Sequence, residues 1–67
     1  MKFDFDAYFA RSMILRESML LSYPEFAEKV GISYATLNRV MNGKRNVSLK
    51  TQRLIKEFVD DYEEDEE

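Results

Sequence analysis

Apolar residues along the chain fall into four runs separated by turn-forming residues, and every run repeats at helical spacing. Between about Asp4 or Asp6 and Leu20, the positions Phe5, Phe9, Met13, Arg16 and Leu20 step by four, four, three and four. That spacing predicts a first helix with its apolar members on one face, and Asp4 and Asp6 suit the positive end of its dipole. Ser22 followed by Glu25 is a capping box, and Pro24 lies in the first turn, where its missing N–H costs nothing. A second helix follows with Phe26, Ala27 and Val30 inward, and Gly31 breaks it as the residue best suited to a left-handed backbone. Ser33 can cap a third helix that runs to about Met41 or Asn42, with Gly43 as its stop. After the polar loop at 42–46, Ser48 caps a fourth helix. There Leu54, Ile55, Phe58, Val59 and Tyr62 repeat at i, i+1, i+4, i+5 and i+8, a stripe that is buried or shared with a second copy of the chain. No strand and no repeat is predicted, so the fold class is all-α, a small domain of four helices and at most five.

The short second and third helices are joined only by Gly31, Ile32 and Ser33, the length of a helix-turn-helix over about 23–42. Ala27 is small where the two would cross, and Ile32, Leu37 and Val40 would pin the third helix to the body. Periodicity then turns Tyr34, Ala35, Asn38, Arg39 and Asn42 outward. A helix that merely faces water would carry Lys and Glu; this face has one Arg among short or planar hydrogen-bonding groups. Such groups suit base edges, since Arg pairs bidentately with guanine, Asn with adenine, and Ala touches the thymine methyl.

Charge sharpens the picture. The sequence holds 10 bases and 13 acids, a net of −3. Seven of the acids lie in 60–67 without a base, so residues 1–59 carry a net of +4. From Lys29 to Lys56 there are seven bases and no acid, a local field that favours a polyanion. The chain therefore divides into a domain at 1–59 and an acidic tail at 60–67. The tail is expected to be disordered, to fray beyond about Tyr62 and to aid solubility; masking of the basic face is the competing role.

Cysteine and histidine are both absent, which removes disulfides, thiolate nucleophiles and the commonest zinc ligands and general bases. Neither a signal peptide nor a membrane span is expected, because Arg16, Glu17 and Ser18 interrupt the apolar stretch from Met13. No cofactor, metal or enzymatic activity is expected, and the location is cytoplasmic, with the nucleoid.

The segments Leu15-Arg16-Glu17 and Leu21 to Ser33 resemble the phage repressor and Cro (XRE) type of helix-turn-helix domain, as does Asn42-Gly43-Lys44. Ser33 to Asn42, followed by Val47 to Thr51, is similar to the headpiece of the lac repressor family. Together the resemblances span roughly 12–59 and imply a lambda-repressor-like fold. They imply that Tyr34, Ala35 and Arg39 read bases, with Asn38 beside them. Tyr23, Ser33, Thr36, Asn42 and Ser48 match positions that hold phosphates, and Lys44, Arg45 and Asn46 sit in the loop that follows the DNA backbone. The sequence departs from the pattern where Tyr23 replaces a common Gln and Leu20 a frequent Gly. These 67 residues are not expected to hold a fifth helix, a hinge helix or a sugar-binding domain.

The resemblance implies a sequence-specific transcriptional regulator, a small phage- or prophage-like repressor. Its partner would be double-stranded DNA with a palindromic operator, bound by a weak homodimer through some of Phe58, Val59 and Tyr62. The competing possibility is a protein-interaction module on the same fold, such as an antitoxin, anti-repressor or adaptor, which suits the overall acidity.

Overall fold

The computed structural model describes residues 3–43 and 47–64, which form four helices: α1 (Phe5–Ser18), α2 (Tyr23–Val30), α3 (Tyr34–Asn42) and α4 (Leu49–Glu64). The described residues contain no strand. Asp4 caps α1, its Oδ1 accepting from the Ala7 amide at 3.3 Å. Ser22 and Glu25 form the complete capping box of α2: the Glu25 amide donates to Ser22 Oγ at 3.2 Å and the Ser22 amide to Glu25 Oε1 at 2.8 Å. These bonds hold the Glu25 carboxyl below its ordinary range, the backbone bond from Ser22 contributing most.

One core joins all four helices: Phe9 from α1, Phe26, Ala27 and Val30 from α2, Leu37 and Val40 from α3, and Ile55, Phe58 and Val59 from α4. At its centre the rings of Phe26 and Phe58 meet edge to face, 5.2 Å between centroids, the favoured arrangement for aromatic quadrupoles. Buried Ser12 satisfies its hydroxyl by donating to the Phe9 carbonyl at 2.7 Å.

The structure corrects three expectations. The first helix ends at Ser18 rather than Leu20. Leu20 itself has φ +59° and is 88% exposed, so it lies off the core face on which its spacing placed it. The Leu20 amide bonds the Glu17 carbonyl and the Leu21 amide bonds the Arg16 carbonyl, the paired bonds of a Schellman turn. Gly43 stops α3 as its position predicts, its amide donating to the Arg39 carbonyl at 3.1 Å, although at φ 178° its backbone is extended and any residue could stand there.

Phe58 and Val59 are core residues, 5% and 0% exposed, and are not available as a self-contact surface. A chain this small needs the whole α4 stripe to close its interior. Only Tyr62, at the end of that stripe, emerges to 37% exposure, its ring 4.8 Å from that of Phe58.

Finally, the acidic run begins inside α4, which continues to Glu64, so the boundary placed after Val59 falls within a helix. Lys56 anchors this part of the run: its Nζ donates to Asp60 Oδ2 at 2.7 Å and lies 5.3 Å from the centroid of the Tyr8 ring. The hydrogen bond to Asp60 is the main reason its pKa is raised. Arg11 and Glu63 pair more loosely at 3.6 Å across exposed surface, which adds at most about 1 kcal/mol. The expected disorder of 65–67 concerns residues outside the described ones.

Candidate nucleic-acid interface

The turn between α2 and α3 is built as its sequence requires. Gly31 adopts φ +98°, and the amides of Gly31 and Ile32 both donate to the Ala27 carbonyl at 2.9 Å. Ala27 is almost fully buried, so the backbone carrying this carbonyl lies close to its neighbours. Ser33 starts α3, its Oγ accepting from the Thr36 amide at 3.1 Å and its hydroxyl donating to Thr36 Oγ1 at 2.9 Å. With Leu37 and Val40 in the core, the rotation of α3 about its own axis is fixed.

That rotation exposes Tyr34, Ala35, Asn38, Arg39 and Asn42 together on one face. The side chains of Asn38, Arg39 and Asn42 are exposed and make no hydrogen bond or ion pair among the described residues. Tyr34, the first residue of α3, is half exposed.

Between α3 and the start of α4 runs an open cleft of about 590 Å³ whose walls include Thr36, Arg39, Asn42 and Ser48. The hydroxyls on this cleft differ in what they can still do. Ser48 repeats the Ser33 arrangement, accepting from the Thr51 amide at 3.2 Å and donating to Thr51 Oγ1 at 3.1 Å. Its proton is therefore committed, and its side chain caps α4. Thr36 receives the proton of Ser33 and keeps its own to donate. Lys44, Arg45 and Asn46 lie outside the described residues. The exposed bases Lys29, Arg39, Lys50 and Arg53, on α2, α3 and α4, make no ion pair with an acid among the described residues.

Tyr23, the first residue of α2, is 40% exposed. Its partner escaped the sequence reading. Arg16, counted there with the apolar face of the first helix, lays its guanidinium over the Tyr23 ring, 4.4 Å from the centroid. Its Nη1 donates to the Leu21 carbonyl at 2.7 Å. The available signal was an arginine at a core-spaced position with no carboxylate four residues away on either side.

The described residues hold no group of three acids able to bind a metal, and none of their helices is long and apolar enough to cross a membrane. The family model described as helix-turn-helix matches residues 13–57, about two thirds of the chain. No curated protein and no solved structure gave a match.

Proposed function

The chain belongs to the XRE-type helix-turn-helix family, whose members are DNA-binding regulators, and from that premise we propose that it is a sequence-specific repressor of the phage type. The observation that carries this reading is the outward face of α3, where Tyr34, Ala35, Asn38 and Arg39 stand free beside one another. With α3 in the major groove, Arg39 takes a guanine edge bidentately and Asn38 an adenine, while Ala35 meets a thymine methyl and Tyr34 contributes its hydroxyl. Thr36 donates to a phosphate from the neighbouring cleft, and Tyr23, Ser33, Asn42 and the Lys44, Arg45 and Asn46 loop follow the backbone. Ser33 and Ser48 take part through their backbone N–H groups, because both hydroxyl protons are occupied.

Operators of such proteins are two-fold symmetric, with half-sites about one helical turn, roughly 34 Å, apart. A weak homodimer completed on DNA fits so small a domain, and Tyr62 is the one residue of the proposed α4 contact that reaches the surface. Bound across a promoter, the dimer excludes polymerase, and its place of action is the nucleoid.

Selection of duplexes from a random pool at near-physiological salt tests the reading. Enrichment of a short inverted repeat, lost in Arg39→Ala, supports it. Binding that only fades with salt and enriches nothing rejects base reading and favours a protein partner for the same fold.

A further inference from the structure

Arg16 is placed oddly for a residue that only stabilises. Its side chain is 17% exposed, its Nε is buried without an acceptor, and the nearest carboxylate, Glu17, touches it only at 3.9 Å from the solvent side. An unbranched apolar side chain of similar length would fill this space with no polar group to desolvate. What only a guanidinium supplies is a flat cationic face and a donor fork together. Both are used here, the fork through one prong: Nη1 donates to the Leu21 carbonyl at 2.7 Å while the central carbon of the guanidinium lies over the Tyr23 ring, 4.4 Å from its centroid. The Leu21 amide in turn donates to the Arg16 carbonyl at 3.1 Å, so Arg16 and Leu21 are joined in both directions just before Tyr23.

We infer that Arg16 is the positioning residue for Tyr23, holding the phenol ring so that its hydroxyl meets the DNA backbone in one fixed orientation. Tyrosine at this position has a long lever and two side-chain torsions; without support its hydroxyl samples several places and the contact is diluted by entropy. The stack removes that freedom before DNA arrives. Arg16 need not touch DNA to act, because its effect passes through the ring. This role rests on the DNA-binding reading of the domain.

A double-mutant cycle tests it, with full-length protein and the duplex selected by the native chain, at a temperature where circular dichroism shows each variant folded. Tyr23→Phe should weaken native binding about threefold to tenfold, the net worth of one hydrogen bond. In an Arg16→Met background the same change should weaken binding less than about twofold, because the hydroxyl is no longer held. Arg39→Ala, on the other helix, should cost the same factor in both backgrounds, which a general loosening of the fold would not give. Should Arg16→Met not fold, Arg16→Lys serves in its place; it keeps the charge and the length but not the planar face, and it too should erase the Tyr23 effect. Equal Tyr23→Phe factors in native and Arg16-substituted backgrounds overturn the role of Arg16 while leaving the DNA-binding reading intact. A native protein that selects no duplex overturns both.

Discussion

Leu20 and Gly31 occupy equivalent left-handed positions just after two successive helices, φ +59° and +98°, yet only the second is a glycine. Each follows the last turn of its helix, and each is followed by an amide that reaches back five residues, Leu21 to Arg16 and Ile32 to Ala27. The left-handed region crowds Cβ against the following carbonyl and costs a non-glycine residue roughly 1–2 kcal/mol. At Leu20 nothing offsets that cost by burial, because its side chain lies in solvent.

Leu20→Gly should therefore stabilise the domain by about 0.5–1 kcal/mol, the relief of strain less the extra freedom glycine has when unfolded. Gly31→Ala should do the reverse by about 1 kcal/mol. A Cβ there meets nothing within 4 Å, so the backbone conformation is the whole cost. Thermal melts resolve both, since 1 kcal/mol moves the midpoint of a domain this size by about 4–8 °C. A lower midpoint for Leu20→Gly would mean that the leucine contributes something its exposure does not reveal.

The capping box of α2 makes stability depend on pH in acid. Glu25 has a lower pKa folded than unfolded, because its charged form accepts from the Ser22 amide. Its contribution is fully present above the ordinary glutamate value and is lost as pH falls through the lowered one. Glu25→Gln should flatten this part of the acid limb of a denaturation profile, while the native protein keeps its loss below about pH 4.5. Ser22→Ala should keep most of this dependence, because the alanine amide still donates to the carboxylate, and should cost about 1 kcal/mol at neutral pH through the lost cap. A native and a Glu25→Gln profile that coincide throughout the acid range would remove Glu25 from the account.

Two hydroxyls on the cleft beside α3 should separate fold from binding. Ser48→Ala removes the cap of α4, with an expected loss of about 1 kcal/mol in denaturant unfolding and little change in affinity of the folded fraction. Thr36→Val keeps the Ser33 cap on the Thr36 amide but removes the free donor, so affinity should fall about threefold to tenfold at nearly unchanged stability. Equal stability losses with equal affinity would show that Thr36 serves the helix only.

The local signals in the sequence were the ones that proved readable. Ser22 with Glu25, Gly31, Ser33 and Ser48 each fix a backbone group within three or four residues, and such chemistry does not depend on what packs nearby. The outward face of α3 followed from them, since Leu37 and Val40 leave one rotation. The end of α1 was missed because its left-handed residue is a leucine, which carries no turn signature. Phe58 and Val59 were offered to a partner because periodicity reports that a face is apolar, not which surface covers it. The acidic run looked like a tail by composition, whereas Lys56 bonds Asp60 and Tyr62 packs on Phe58 to carry the helix into it as far as Glu64.

That continuation bears on whether the acids mask the basic face. The N-terminal end of α4 borders the cleft with Arg39, and helical rise puts Glu64 about 22 Å further along the axis from Leu49. At physiological ionic strength charges are screened over about 8 Å, so acids at the far end of α4 would act weakly on a polyanion near Arg39. Their larger effect is on α4 itself, where they oppose the negative end of the dipole. Asp61→Asn should stabilise the domain by about 0.3–1 kcal/mol, and Glu63→Gln by less, because it also gives up the loose pair with Arg11. Neither change should move the affinity for a selected duplex by more than about twofold at near-physiological salt, where the screening is strong. A several-fold gain in affinity from Asp61→Asn, growing as salt is lowered, would instead mean that the acids of α4 reach the DNA path and compete with it. The two outcomes are separated by measuring unfolding and binding on the same variant.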